Sequence, residues 1–268
     1  MDNDNIKNFY SGYSDKITDK RFNSPYALRR YAHLKQYEAF LRHIEPGMRV
    51  LDAGCGEGVL SVMLVQRGAI VTGCDLSTPN IENARRYAKE AGLDSIEFMV
   101  ADLEQIPFAD NSFDLVVSSH VLEHLPDFDQ GLREIMRVTK KRAVMAIPTV
   151  FNLCSMVQVG GGWFYLKGPR SFLAIFRGFL KMLGSFISGQ EGVNEAYGRE
   201  DIPHVFRFPW IMKNKIKKEK FKLVEYEASS LCLPYFASGL PVIKFLDQYK
   251  NKKIFRNLGY GTTYVVEK

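Results

Sequence analysis

The chain reads as an α/β fold: a seven-stranded, mostly parallel sheet with helices on both faces and a helical insertion after the fifth strand. Three observations predict it. Short apolar runs alternate with helical segments between residues 49 and 147, the pattern of βαβ units. A glycine-rich loop joins the first strand of that series to its first helix. After Pro148 the alternation stops for about sixty residues, and two further strand patterns then follow near the carboxyl end.

Taken in order, residues 1–45 are aromatic and charged, with Tyr10, Tyr13, Tyr26, Tyr31 and Tyr37 spread over expected helices such as 26–44, and form an N-terminal helical cap. Residues 46–148 form the core. Its strands are expected at 49–53, 69–74, 96–100, 113–118 and 143–147, the last stopped by Pro148. The helices between them are expected at 59–66, at 78–91, where Ser77 and Thr78 open the helix with Pro79 in its first turn, and at 128–139. Residues 149–208 are an insertion at the carboxyl edge of the sheet, where α/β folds bind ligands. Residues 209–268 complete the sheet with a basic helix at 209–220 and strands at 222–228 and 262–267.

The composition is that of a globular chain: 46% hydrophobic and 25% charged over 268 residues. Cys55, Cys74, Cys154 and Cys232 form no CxxC pair, which argues against a disulfide framework and a cysteine zinc site and suits a reducing cytoplasm. The first ten residues lack the apolar core of a signal peptide, and the uncharged stretch 143–165 is interrupted by Pro148 and by Gly160, Gly161 and Gly162, so no membrane span is expected. The formal charge of +6 is unevenly placed, with 18 Lys and Arg against 9 Asp and Glu from Phe151 onward.

The run Val50-Leu51-Asp52-Ala53-Gly54-Cys55-Gly56-Glu57-Gly58 sets three glycines at alternate positions between strand and helix, where the backbone approaches a ligand closely. The spacing is not that of a dinucleotide loop. Asp52 would repel a pyrophosphate but suits an ammonium, and Asp75, at the end of the second strand, suits two ribose hydroxyls. The two acids together favour a nucleoside joined to an amino acid, which is the composition of S-adenosylmethionine.

Four stretches in order, VLDAGCGEG (50–58), GCDLS (73–77), ADLEQIPFADNSFDLVVSSHVLEHL (101–125) and REIMRV (133–138), resemble the class I S-adenosylmethionine-dependent methyltransferases, in the subgroup that includes ubiquinone/menaquinone methylases. The resemblance implies a Rossmann-like fold with S-adenosylmethionine as cofactor. It implies that Gly54, Cys55 and Gly56 line the methionine part beside Asp52, that Asp75 holds the ribose with Leu76 against adenine, and that Asp102 and the backbone of Leu103 meet the adenine ring. Ser118 and Ser119 would lie under the sulfonium. Tyr10, Tyr13 and His33, in the segment that folds over the cofactor in similar enzymes, would contact the acceptor. One departure is Thr139-Lys140-Lys141-Arg142, expected as a surface turn where relatives carry a Leu-Lys-Pro-Gly-Gly turn.

Methyl transfer from a sulfonium needs alignment above all; a hydroxyl acceptor gains further from a base, for which His120 and His124 are the candidates. The His-x-x-Glu-His run also serves as a loop-closing turn in the bland reading. It lacks a third ligand, so no metal is expected.

Between Glu134 and Glu191 there is no acid. Within this stretch Phe172, Leu173, Phe176, Phe179, Leu180, Leu183 and Ile187 recur at helical spacing, opposite Arg177, Lys181, Ser185 and Ser188. Such a helix either packs its apolar face on the sheet as a lid, with hinges at Pro169 and at Gly160 to Gly162, or lies in an anionic membrane surface. Nucleic acid is not expected, since no binding module accompanies the charge. The expected activity is methyl transfer to a small or lipid-linked acceptor, at oxygen rather than carbon, in the cytoplasm or peripherally on the inner face of the membrane. The alternatives are a quinone-type C-methylase and a non-catalytic cofactor-binding partner subunit.

Overall fold

The computed structural model describes residues 3–14, 21–162, 169–195, 204–233, 239–253 and 255–268, with the side chains of 169–171 left aside. Its centre is a seven-stranded sheet. In chain order the strands are β1 (Arg49–Ala53), β2 (Ile70–Asp75), β3 (Glu97–Val100), β4 (Phe113–Ser119), β5 (Thr139–Pro148), and two carboxyl-terminal strands, β8 (Lys222–Ala228) and β9 (Gly261–Glu267). Their spatial order is β3-β2-β1-β4-β5-β9-β8. The first five run parallel, and β9 inserts antiparallel between β5 and β8.

Both faces of the sheet are buried, which is why its strands are continuous apolar runs rather than alternating ones. Val50 and Leu51 are neighbours on β1, point to opposite faces, and are both 0% exposed. Leu51 joins Val116, Met145 and Tyr264 in the core on one face; Val50 joins Leu115, Val117 and Val265 in the core on the other. The helices α3 (Val59–Gln66), α4 (Thr78–Glu90) and α5 (Phe128–Val138) are the crossovers between the parallel strands. As the sequence predicts, Ser77 caps α4, its hydroxyl accepting from the Asn80 amide at 3.1 Å, with Pro79 in the first turn.

The expected surface turn at 139–142 is not a turn. Thr139 ends α5 and begins β5 at once, its hydroxyl donating to the Ile135 carbonyl at 2.7 Å, so helix and strand join without a linker. Two further elements were not foreseen: α9 (Leu240–Asp247), and a two-stranded ribbon of β6 (Gly192–Asn194) and β7 (Val205–Arg207). A bridge from Thr149 to Arg207 ties this ribbon to the end of β5.

The insertion also contains α6 (Leu153–Val159) and α7 (Pro169–Ile187). The lid reading, in which the apolar face of α7 packs inward, is corrected. Phe172, Leu173, Phe176, Phe179, Leu180, Leu183 and Ile187 are all exposed, Phe172 at 67% and Ile187 at 75%. The buried stripe is instead Ala174, Gly178 and Ser185. The reason is close helix approach: a Cβ on Gly178 would lie 2.0 Å from the Met156 carbonyl oxygen, and one on Gly160 1.8 Å from that of Ala174. Gly160 is therefore a packing residue and not a hinge. The side chain of Pro169, the other expected hinge, lies outside the described residues. No helix among the described residues is long and apolar enough to cross a membrane.

Candidate functional site

Because β1 to β5 are parallel, the loops that follow them leave from one edge of the sheet, and β9 begins at that edge because it runs the other way. A cavity of about 770 Å³ opens there. It is lined by the loop after β1 (Asp52, Gly54, Cys55, Gly56), by Asp75 and Leu76 after β2, by Asp102 and Leu103 after β3, and by Ser119, His120 and His124 after β4. Its size suits a ligand larger than a single metabolite fragment.

Gly54 and Gly58 hold φ of +80° and +76°, the left-handed region that favours glycine. Gly54 has no room for a side chain in any case, since a Cβ would meet Val121 at 2.2 Å. Asp75 organises this loop. Its Oδ2 accepts from the Gly56 amide and its Oδ1 from the Ser77 amide, both at 2.9 Å. Burial raises the carboxyl of Asp75 above its ordinary range. Asp52 is 1% exposed and accepts from the Ser61 hydroxyl at 2.6 Å; burial pushes its carboxyl up to about 7. A cation brought beside it would restore the charged form.

The amino-terminal helix α1 (Asn3–Ser11) closes one side of the cavity with Ile6, Lys7, Phe9 and Tyr10, and Tyr13 follows it. Lys7, which the sequence did not single out, bridges Asp102 and Glu104 at 2.6 and 2.7 Å, and both carboxylates raise its ammonium's pKa. Asp102 also accepts from the Glu104 amide at 2.8 Å. Ser77 donates to the Tyr13 carbonyl, so the segment is pinned to the ends of β2 and β3 together. His33, on α2 (Ala27–Leu41), lines the cavity and is buried, which drives its imidazole well below the ordinary value.

Ser118 is a correction. Alternation along β4 sends it to the face opposite Ser119, and only Ser119 lines the cavity. The Ser119 hydroxyl is buried with no hydrogen-bond partner.

The remaining wall carries the histidines. His120 takes a φ of +58°, uncommon for a residue with a side chain. Its Nδ1 lies 2.9 Å from Glu123 Oε1, while its Nε2 is buried without a partner. Burial alone would push Glu123 up, but His120, His124 and His204 around it hold its carboxyl down at about 2. His124 ends a short 3₁₀ turn (Leu122–His124), and its Nδ1 lies 2.8 Å from the Tyr10 hydroxyl.

Sequence reasoning missed His204 and Glu195, which also line the cavity. They flank the β6–β7 ribbon, and the Glu195 amide donates to the His204 carbonyl at 3.0 Å. The Glu195 carboxylate pairs with His204 Nδ1; burial works against the imidazolium, but this partner raises the pKa of His204. In the sequence His204 stands only in the run HVFRF (204–208), with no spacing to tie it to His124, and nothing marks Glu195. Arg21, Gln158 and Tyr260 also line the cavity and were not singled out by the sequence.

The donor set suits a nucleoside that carries an ammonium. Two carboxylates stand at the ends of adjacent strands, one of them only partly charged near neutrality until a cation arrives, with a glycine loop between them.

Comparison with known proteins points the same way. A family model described as a methyltransferase domain matches residues 51–147. A demethylmenaquinone methyltransferase of Listeria monocytogenes (serotype 4b) is 33% identical over 193 residues, which cover 70% of this chain and 79% of the relative. A ubiquinone biosynthesis O-methyltransferase of Brucella anthropi is 36% identical over 104 residues, and a sterol 24-C-methyltransferase of Gibberella zeae 36% over 119. These matches span only 42% and 31% of those relatives' own lengths. Among solved structures, magnesium protoporphyrin IX methyltransferase of Synechocystis PCC 6803 superposes with a TM-score of 0.60 at 13% identity, covering 100% of this chain and 97% of that one. A methyltransferase of Mesorhizobium loti superposes with a TM-score of 0.59 at 21% identity, covering 90% and 100%.

Proposed function

The chain belongs to the class I S-adenosylmethionine-dependent methyltransferases, and from that premise we propose that it transfers a methyl group to an oxygen of a small or lipid-linked acceptor. The observation that carries the proposal is one cavity lined both by Asp52 and Asp75 and by Ser119, His120 and His124. The former supply a cofactor cradle and the latter an acceptor wall.

When bound, S-adenosylmethionine supplies a methyl on a positively charged sulfur that leaves as a neutral thioether. Asp52 pairs with its ammonium and Asp75 with its ribose hydroxyls. Gly54, Cys55 and Gly56 flank the methionine part, and Leu76, Asp102 and Leu103 flank the adenine. Lys7 holds α1 over the pocket, so Tyr10 and Tyr13 exclude water from the line of transfer. Alignment supplies most of the rate.

His120 is the more firmly oriented of the two base candidates, its ring held by Glu123 in the cavity wall. Glu123 fixes its Nδ1, the tautomer in which Nε2 accepts a proton from the acceptor hydroxyl. His124 is held by Tyr10 and sits between that base and the amino-terminal segment as a contact for the acceptor, together with His33. A carbon acceptor on a quinone ring is the second reading, supported by the likeness to a demethylmenaquinone methyltransferase over most of both chains.

The domain reading follows the site: residues 1–45 cap the cofactor, 46–148 bind it, 149–208 shape the acceptor side, and 209–268 complete the sheet. The exposed aromatic face of α7 sits in a stretch with no acid between Glu134 and Glu191 and carries Arg177 at its edge. Charge and apolarity together suit the anionic cytoplasmic face of a membrane, from which a lipid-linked acceptor would be drawn.

Calorimetric titration with S-adenosylmethionine tests the cofactor assignment: tight binding by the wild type and at least a tenfold loss in Asp75→Ala are expected, and equal binding by both would overturn it. Mass spectrometry of lipid and small-molecule extracts incubated with the enzyme then identifies the methylated product. Cofactor binding without any such product would favour a non-catalytic partner subunit.

A further inference from the structure

In the sequence the His-x-x-Glu-His run at 120–124 lacks a third ligand; the fold supplies one. Among the described residues, Glu123, His124 and His204 are the group whose ligand atoms, one from each, lie within 4.8 Å of one another. Two come from the 3₁₀ turn after β4 and the third from the residue before β7, about eighty residues later in the chain. The two imidazole rings lie 4.5 Å apart between centroids, tilted by 33°.

We propose that Glu123, His124 and His204 bind a first-row divalent transition cation on the acceptor wall of the cavity, leaving coordination positions for an acceptor oxygen. Three features carry this. The first is an orphan: Glu123 is 1% exposed, its Oε1 is engaged by His120, and its Oε2 is buried with no hydrogen-bond partner. A buried carboxylate oxygen with nothing to accept from is costly unless a cation or water completes it.

The second is an outer shell. His120 holds Glu123, the Tyr10 hydroxyl lies at 2.8 Å from Nδ1 of His124, and the Glu195 carboxylate pairs with Nδ1 of His204. Each ligand is thus oriented from behind by a polar partner, which is how proteins fix metal-binding imidazoles and carboxylates. The third is composition. Glu123 and Glu195 are both buried, at 1% and 3% exposure, and each pairs with an imidazole of this wall, so carboxylate and imidazole donors converge with little water around them.

Two imidazoles and one carboxylate select Zn²⁺, Fe²⁺, Mn²⁺ or Co²⁺ over Mg²⁺ and Ca²⁺, which prefer oxygen throughout. Around a tetrahedral ion with bonds of about 2.0–2.1 Å the ligand atoms stand roughly 3.3 Å apart, so small side-chain rotations close the cage. An acceptor hydroxyl bound there gives its proton to His120. Its oxygen then forms the bond to the methyl carbon as the carbon–sulfur bond breaks, the electron pair going to sulfur. That use of the site rests on the methyl-transfer reading; the binding of the ion does not.

The test is titration of the chelator-treated full chain with Co²⁺, followed by its visible absorption, and with Zn²⁺ by calorimetry. Saturation at about one equivalent per chain with a Co²⁺ ligand-field band is expected. His204→Ala and Glu123→Gln should each weaken binding by at least tenfold, while affinity for S-adenosylmethionine, measured on the same samples, stays within about twofold. If His204→Ala does not fold, His204→Gln serves in its place. Absence of the band in the wild type, or binding unchanged in both variants, overturns the proposal. Loss of cofactor binding with the Co²⁺ band intact would instead overturn the methyl-transfer reading and leave the metal site standing.

Discussion

Asp52 and His120 are the residues whose surroundings make the most definite demands. Burial raises Asp52 to about 7, so the carboxyl is largely protonated below that pH and charged above it. An ammonium pairs only with the charged form; cofactor affinity should therefore rise as pH passes upward through about 7 and fall below it, with proton release on binding on the acid side. Calorimetry at several pH values checks this, and Asp52→Asn should be weak and flat with pH. The sign for folding is opposite: a carboxyl raised in the folded state favours folding at low pH, an advantage lost as pH climbs from about 4 toward 7. His120 should show itself in turnover. Removing a general base costs about 10²-fold or more in kcat, so His120→Gln should lower kcat by that order with little change in KM. An unchanged kcat would leave alignment as the whole mechanism. Both residues were legible in the sequence, because each belongs to a short motif at a strand end. The raised carboxyl of Asp52 was not, since burial belongs to the packed molecule.

At the level of elements, α7 decides how the insertion works. Its glycine and small-residue stripe seats it against α6, with Gly178 and Gly160 at backbone contact distance. Gly178→Leu should force the two helices apart and cost about 1–3 kcal/mol or more, read from denaturant unfolding. The outward aromatic face makes a separate prediction. The wild type should float with vesicles containing anionic lipid, and Phe176→Glu/Phe179→Glu should stay in the soluble fraction with its melting temperature unchanged, because both side chains are already exposed. Wild type that fails to float removes the membrane from the reading. The sequence displayed the helix and its two faces plainly. It did not say which face turns inward, because periodicity records that a helix is amphipathic while the partner determines what it packs against. Here the partner, α6, admits only the side chains small enough to let two backbones meet.

Across the whole molecule the cavity is assembled from both ends of the chain. Lys7 and Tyr10 come from the first helix, Asp75 and Asp102 from the core, His204 from the insertion and Tyr260 from the carboxyl-terminal part. A ligand that bridges these pieces stabilises them together. S-adenosylmethionine at a hundred times its Kd should add about 2.7 kcal/mol to the unfolding free energy. In Lys7→Ala, with α1 no longer tied to Asp102 and Glu104, the affinity itself should drop several-fold, as thermal melts with increasing ligand would show. What the sequence alone determined is the parallel sheet, its glycine loop, the acids at the ends of β1 and β2, and the histidine run after β4. These are local: strand, turn and helix signals lie within a few residues of the groups they position. The tertiary structure decided the rest, namely that Ser118 turns away while Ser119 faces the cavity, that α7 shows its phenylalanines to the outside, and that Glu195 and His204 arrive beside Glu123 and His124. Which face of a strand or helix turns toward the cavity depends on what packs against it, and the meeting of His204 with His124 spans some eighty residues of chain, which no spacing in the sequence encodes.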